Sequence, residues 1–262
     1  MNQRQVGWFV RVVAALVLLF LALPILIIFP LALNSSEYLR FPPQGISLRW
    51  VSTVLGSEDW LASAWLSLKV ATLATLIAIA LSVLTAHALV RGTIRFKQGV
   101  YALILLPMIV PHIISAIAMF FFFSTVRIFG SVGAISIGHA VLALPIAVII
   151  LSATMQGVDQ RLEDAAMSLG ASRQTAFRRI TLPLIAPGIA SASIFAFLSS
   201  FDELLVAVFM GSQGSQTLPV RIWSNVTFQL DPSIAAVSAL LVIVSVLALV
   251  TATFFTRRSR TA

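Results

Sequence analysis

The sequence predicts an all-α integral membrane protein with six transmembrane helices, and two observations carry this prediction. Of the 262 residues, 59% are hydrophobic and only 10% are charged, whereas a soluble domain has about a quarter charged residues. Six apolar segments are each long enough to cross the core of a bilayer, which takes about 20 helical residues. These segments cover residues 12–33, 64–90, 100–123, 132–155, 188–210 and 234–256. We therefore expect a single transmembrane domain over residues 1–262.

The first apolar segment follows basic residues, as the apolar part of a signal peptide does. It is longer than the roughly 7–15 residues of that part, and no clear cleavage site follows it. We expect it to be retained as a membrane helix.

Basic residues are distributed unevenly between the two sides of this arrangement. Cytoplasmic loops are enriched in Lys and Arg, and twelve of the 17 such residues lie on one side. They are Arg4, Arg11, Arg91, Arg95, Lys97, Arg161, Arg173, Arg178, Arg179, Arg257, Arg258 and Arg260. The other five are Arg40, Arg49, Lys69, Arg127 and Arg221. We therefore expect both termini in the cytoplasm, and since topology explains the net charge of +8, we expect no nucleic-acid partner.

No pattern in the sequence predicts a catalytic or metal site. There are no cysteines, no H-E-x-x-H motif and no G-x-S-x-G motif. Neither lysine lies in a G-x-x-x-x-G-K-[ST] phosphate loop, so this chain is not expected to hydrolyse ATP. His87, His112 and His139 lack metal-ligand spacing, and we expect them to hydrogen-bond to neighbouring helices. The chain is expected to be no enzyme and to bind no metal or cofactor itself.

A polar segment, residues 156–187, separates the fourth and fifth apolar segments. Its centre, Leu162–Pro183, reads LEDAAMSLGASRQTAFRRITLP. Asp159 can cap a first helix that Gly170 ends, and Ser172 can cap a second one. The first helix has one apolar face, formed by Leu162, Ala165, Ala166 and Leu169. The pattern predicts a helix-turn-helix beneath the membrane, and a helix resting on anionic lipid is the alternative.

The spacing within this segment resembles the "EAA" loop of permease subunits of bacterial binding-protein-dependent ABC importers with the type I fold. The matching positions are Asp164, Ala165, Ala166, Gly170, Ile180, Leu182 and Pro183. Asp164 stands where the family usually has Glu, which keeps the charge. Glu163 and Ala171 complete the set of residues that we expect to couple this chain to an ATPase, and we therefore call residues 156–187 the coupling loop.

This resemblance implies several partners and a location. The coupling helix would sit in a groove of an ATPase subunit, which would hold the ATP and Mg. Two ATPase subunits, a second permease forming a heterodimer, membrane lipid and an extracytoplasmic substrate-binding protein would complete the system. The chain would be a multi-pass protein of the bacterial cytoplasmic (inner) membrane.

Three further stretches look like the polyamine (spermidine/putrescine) permease group. They are FPPQGISLRW at Phe41–Trp50, HAVLALP at His139–Pro145, and SFDELLVAVFMGSQGSQTLPVRIW at Ser200–Trp223. The resemblance implies transport of polyamines or a similar small cation. Opines or other amino compounds remain open, and a stand-alone channel or secondary transporter is an alternative from a different class.

Two acidic residues in the fifth apolar segment are the candidates for contact with substrate. Asp202 and Glu203 would lie inside the membrane, where acids usually face a cavity or a partner, and Ser199 would share their side of the helix. Such a stripe would attract a polyammonium ion. The alternative is a structural ion pair with Arg127, Arg221 or Lys69.

Three prolines in the apolar segments are hinge candidates. Pro107 and Pro111 lie in the third segment and Pro145 in the fourth. Proline removes a backbone hydrogen bond and allows a kink, which suits alternating access. The alternative is that proline is common in membrane helices.

Overall fold

The computed structural model describes residues 7–211, 216–228 and 231–258. Arg4 and Arg260, two of the basic residues used to predict orientation, lie outside the described residues. The helices are α1 Trp8–Ala32, α2 Arg49–Gly56, α3 Glu58–Arg91, α4 Lys97–Ile109, α5 His112–Thr125, α6 Val132–Gln156, α7 Arg161–Ser168, α8 Arg173–Ala176, α9 Leu182–Leu184, α10 Ala186–Phe201, α11 Leu205–Met210, α12 Leu218–Phe228 and α13 Ser233–Arg258. A π-helical turn, Phe177–Thr181, connects α8 to α9.

Within the described residues, three helices are long and apolar enough to cross a membrane alone, namely α1, α3 and α6. Two further pairs reach this length only when each bent pair is taken as one span. The first pair is α4 with α5, bent by 101°, and the second is Arg173–Leu184 with α10, bent by 68°. The described apolar part of α13, Ser233–Leu247, is shorter. The six-span count therefore stays a prediction.

The structure divides two segments for which the sequence predicts continuous helices. The predicted span 100–123 breaks at Val110 and Pro111, because proline has no backbone N–H to continue the helical ladder. The predicted span 188–210 breaks between Phe201 and Leu205. We call residues 202–204 the acidic break.

The chain forms two compact units, and residues 1–61 with 222–262 make up the first. In this unit α1 and α2 both pack against α13. The segment before α2 folds around buried Asn34, whose Oδ1 accepts from the backbone N–H groups of Ser36 and Gln44, both at 3.1 Å. The indole Nε1 of Trp50 donates to the Ser36 carbonyl at 3.0 Å. These bonds hold a loop and a short helix together.

Residues 62–221 form the second unit, and α6 lies at its centre. It packs against α4, α5, α10 and α11. Small side chains allow this close approach: a Cβ at Gly188 would lie 2.4 Å from Thr154 Oγ1, and one at Gly138 would lie 2.8 Å from Val206 Cγ1. Helix α6 continues through buried Pro145 without a break. Of the three proline hinge candidates, Pro111 alone lies at a break, since Pro107 also lies within a helix, α4.

Candidate functional site

The coupling loop folds as two short helices joined by a tight turn. Helix α7 ends at Ser168, and Gly170 then adopts φ +91°, a left-handed conformation that glycine accepts without a Cβ clash. Ser172 begins α8 by accepting a hydrogen bond from the Thr175 N–H at 3.2 Å. Asp159 accepts from the Arg161 N–H at 3.0 Å just before α7. Gly170 and Ser172 therefore have the predicted roles, whereas the N-cap residue of α7 is Gln160 and not the predicted Asp159.

The apolar side of α7 faces away from the unit to which it belongs. Leu169 is 90% exposed and Leu162 is 47% exposed, and Ala165 lies between them on the exposed surface. Asp164 is also exposed. An exposed apolar patch beside a charge is typical of a surface that binds another protein or a membrane. We call these four residues the docking face.

Glu163 points the other way and is buried. Its Oε1 lies 3.1 Å from Nε of Arg91, the last residue of α3, and also accepts from the Thr181 hydroxyl at 2.8 Å. Arg91 Nη2 donates to the carbonyls of Val158, at 2.7 Å, and Met155, at 3.4 Å. The predicted coupling residues thus separate into an exposed set and one buried acid.

Of the other predicted coupling residues, Pro183 is exposed, and Ala166, Ala171, Ile180 and Leu182 are half-buried. Leu182 and Phe177 pack against a core cluster that includes Leu151 and Ile185. This end of the loop therefore belongs to the packed interior, since the helix that begins here leads directly into α10.

The acidic break is the second candidate site, and it places its two acids in different surroundings. The Glu203 side chain is only 10% exposed, and its Oε1 accepts from the Val206 N–H at 3.1 Å, which caps the start of α11. Its Oε2 lies 3.6 Å from Nδ1 of His112. Asp202, by contrast, is exposed, as is Ser199 one turn earlier. The fold of this chain therefore leaves Asp202 and Ser199 uncovered.

Packing of α11 against α5 brings the acidic break beside the break in the third predicted span. His112 is the first residue of α5 and follows Pro111. Interrupted helices are a recurring way to build a binding site inside a membrane, because the freed backbone groups and nearby side chains can face a ligand. The two broken segments thus place the Glu203 carboxylate and the His112 ring side by side.

Two of the three cations proposed as alternative partners for the acids, Lys69 and Arg221, make other contacts. Lys69 Nζ lies 5.3 Å from the centre of the Trp65 ring, and Arg221 Nε donates to Ser63 Oγ at 2.8 Å. Within the described residues, the basic side chain beside Glu203 is that of His112, and this contact is an ion pair only when the imidazole is protonated. His139 Nδ1 lies 2.8 Å from Ser200 Oγ, which confirms the prediction that it bonds to a neighbouring helix.

Sequence reasoning missed the residues that hold the two acids in place. The sequence identifies Arg91 only as one of the basic residues on the cytoplasmic side. It gives no indication that Thr181 or His112 contacts an acid. No short spacing links these residues, since Arg91 and Glu163 are 72 positions apart. Among the described residues, no group of three or more His, Cys, Asp or Glu side chains could hold a metal ion.

Comparison with known proteins supplies independent evidence of the family to which this chain is related. Residues 78–261 match the family described as "Binding-protein-dependent transport system inner membrane component". The chain is 28% identical over 240 residues to the spermidine/putrescine transport system permease protein PotC of Haemophilus influenzae, covering 92% of this chain and 93% of that protein. It is 30% identical over 231 residues to the putrescine transport system permease protein PotI of Escherichia coli K12, covering 85% and 81%.

A solved structure of similar fold covers almost the whole chain. The crystal structure of a bacterial ABC transporter involved in the import of the acidic polysaccharide alginate contains a chain that matches with a TM-score of 0.72 at 16% sequence identity. The match covers 98% of each chain. At this identity the likeness concerns the fold.

Proposed function

The chain belongs to the family of binding-protein-dependent transport system inner membrane components, and from this premise we propose that its coupling loop is where a separate ATPase drives transport. The chain is a multi-pass permease of an ABC importer, located in the cytoplasmic membrane, with the predicted type I permease fold. Its relatives are permeases rather than enzymes. Such a permease works with an ATPase and a substrate-binding protein.

The observation that carries the proposal is the docking face of α7. Leu162 is exposed on α7 and Leu169 is exposed at the C-terminal end of this helix, whereas its buried residue is an acid. A helix that served only to cover its own core would have the opposite arrangement, with its leucines inside. The exposed leucines therefore need a partner, and a groove of the ATPase is the partner that the "EAA" spacing favours over lipid.

The substrate we propose is a polyamine or a similar small organic cation. The relatives named for spermidine and putrescine span most of the chain, and exposed Asp202 provides a negative charge at a helix break. An acid in a membrane interior is costly unless it meets a cation, water or a hydrogen-bond donor. An ammonium group of the substrate would supply such a partner at Asp202, with Ser199 beside it.

The assembly we propose contains a second permease in a heterodimer, two ATPase subunits that carry ATP and Mg, and an extracytoplasmic binding protein. Both termini and the coupling loop would lie on the cytoplasmic side. The excess of basic residues on that side supports this orientation.

The proposal is tested by reconstituting the chain with its cognate second permease, ATPase and binding protein in proteoliposomes. We expect uptake of labelled spermidine or putrescine that requires ATP, with no uptake of a neutral control solute. Uptake by the permeases without ATPase would contradict the proposal and favour a channel or secondary transporter.

Leu169→Asp tests the docking face within the same system. A charge at the centre of an interface should lower retention of the ATPase on the purified permeases by about tenfold or more, as for an anchor residue. Gln160→Asp is the matched control, because it adds the same charge at an exposed polar position just before α7. Equal retention in Leu169→Asp and wild type would exclude the docking face as the ATPase contact.

A further inference from the structure

Glu163 differs from its neighbours in α7 because it is buried and bonded within its own chain. All eight residues of α7 are described, and Glu163 is the one buried residue among them. Its carboxylate receives two hydrogen bonds on one oxygen, from Arg91 at 3.1 Å and from Thr181 at 2.8 Å. A side chain held in this way cannot also face a docked subunit.

The two side-chain partners of Glu163 lie on a helix distant in the chain, α3, and near the far end of the loop itself. Arg91 is the last residue of α3, and its Nη2 also bonds to the carbonyls of Met155 and Val158 at the end of α6. Thr181 is fully buried at the end of the π-helical turn, from which α9 and α10 follow. One carboxylate therefore joins α7 to the ends of α3 and α6 and to the approach to α10.

A second contact connects the same two parts of the chain. The ring of His87, one turn before Arg91 on α3, lies 4.6 Å from the ring of Phe177, centre to centre. Phe177 is the first residue of the π-helical turn. Helix α3 is thus joined to the coupling loop by an aromatic contact as well as by the ion pair.

A buried ion pair is not needed to make a helix stable. Desolvation of two charges can cancel their attraction, so an apolar pair of the same volume would often serve as well. What a carboxylate with two directed donors does provide is a fixed position, since each bond restricts distance and angle. The two hydrogen bonds to the Glu163 carboxylate therefore fix the position of α7 relative to their donors.

We propose that Glu163, Arg91 and Thr181 form an internal anchor that makes α7 move together with α3, α6 and the start of α10. The inference rests on the proposed function, in which the ATPase displaces α7. A displacement of the docking face would then reach the membrane helices without being absorbed by bending of the loop. Glu163 is accordingly a positioning residue, and Asp164 beside it contacts the ATPase.

The adjacent acids provide a matched test. Glu163→Gln and Asp164→Asn each remove one charge from neighbouring positions with little change in shape, and only the first is buried. Thr181→Val removes the second donor, and Thr181→Ser restores the hydroxyl. For each variant, in the reconstituted complex, one measures ATPase retained on the permeases, ATP hydrolysed, and substrate taken up per ATP.

We expect Glu163→Gln and Thr181→Val to retain the ATPase as wild type does, while uptake per ATP falls by about fivefold or more, the size of an allosteric coupling. Thr181→Ser should recover most of the wild-type uptake per ATP. Asp164→Asn should lose ATPase but keep uptake per ATP in the complexes that remain. A purely structural role for the anchor would lower retention, hydrolysis and uptake in parallel, leaving the ratio unchanged.

Either of two results would overturn the inference: loss of ATPase from Glu163→Gln to the same degree as from Asp164→Asn, or an unchanged uptake per ATP in Glu163→Gln. Failure of the proposed function itself is a separate outcome, because it would be seen as an absence of ATP-driven uptake in the wild-type complex.

Discussion

The coupling loop and the acidic break each contain two adjacent acids, and in both places the fold separates the members of the pair. Glu163 is buried and bonded while Asp164 is exposed; Glu203 is largely buried and bonded while Asp202 is exposed. At α7 successive helical residues point about 100° apart, and at the acidic break α10 ends just before Asp202, so in both places one acid can serve the fold while its neighbour meets a partner. In each pair, the contacts of the buried acid thus fix the position of the exposed carboxylate beside it.

The two buried acids differ in how far along the chain their hydrogen-bond partners lie. Glu163 pairs with a guanidinium from another helix 72 positions away. Glu203 caps the helix that follows it and lies near His112, whose side chain is 52% exposed and charged only when protonated. The first acid connects distant elements through a permanent ion pair, and the second acts mainly on its own helix start. Removal of the first should therefore cost more.

The largest expected effect is that of Glu163→Ala. It leaves the largely buried Arg91 guanidinium with two backbone carbonyls but no counter-charge, and removal of one partner of a buried pair costs about 3–5 kcal/mol. Thermal unfolding of the detergent-purified complex measures this loss. Asp164→Ala, at an exposed position, should change stability by no more than about 0.5 kcal/mol. Equal losses of thermal stability in Glu163→Ala and Asp164→Ala would show that Glu163 contributes no more to the fold than Asp164 does.

Asp202→Asn should have the next largest effect, and this effect should be on transport and not on stability. Loss of one charge facing a cation should raise the KM for a polyamine by about tenfold, the size of one charge-assisted hydrogen bond. The melting temperature should stay near that of wild type because Asp202 is exposed. A KM that stays constant while stability falls would assign Asp202 to the fold.

Glu203→Gln should give the smallest effect, a loss of about 1 kcal/mol in stability, because the amide oxygen is a weaker acceptor for the Val206 N–H. Uptake at saturating substrate should change little. His112→Gln is the comparison variant, and a smaller loss there would show that the helix cap matters more than the ion pair. A larger loss from His112→Gln would reverse this order.

Much of the coupling loop was predictable because its signals are local. Gly170 ends the first helix in a left-handed conformation and Ser172 begins the second, as their residue types suggest. Leu162, Ala165 and Ala166 of the predicted apolar face lie on α7, and Leu169 follows its last residue. Which of them are exposed was not predictable, because a helical period shows that a face exists without showing what covers it.

The acidic break was predictable only in part. Asp202 and Glu203 stand out in any apolar segment, but an uninterrupted helix was expected there and the structure has an end and a new start. The break depends on Glu203 reaching the N–H three residues on and on α11 packing against α5. Hydropathy averages over such a short interruption, so it reports one long segment.

Class, apolar segments and the helix-turn-helix of this protein follow from the order of its residues, because hydropathy, helical period and capping each act within a few positions. The partner of each acid and the direction of the leucines on α7 were decided only when α3, α6, α10 and the coupling loop came together. Burial and ion pairing join residues far apart in the chain, so they exist only once the helices have packed.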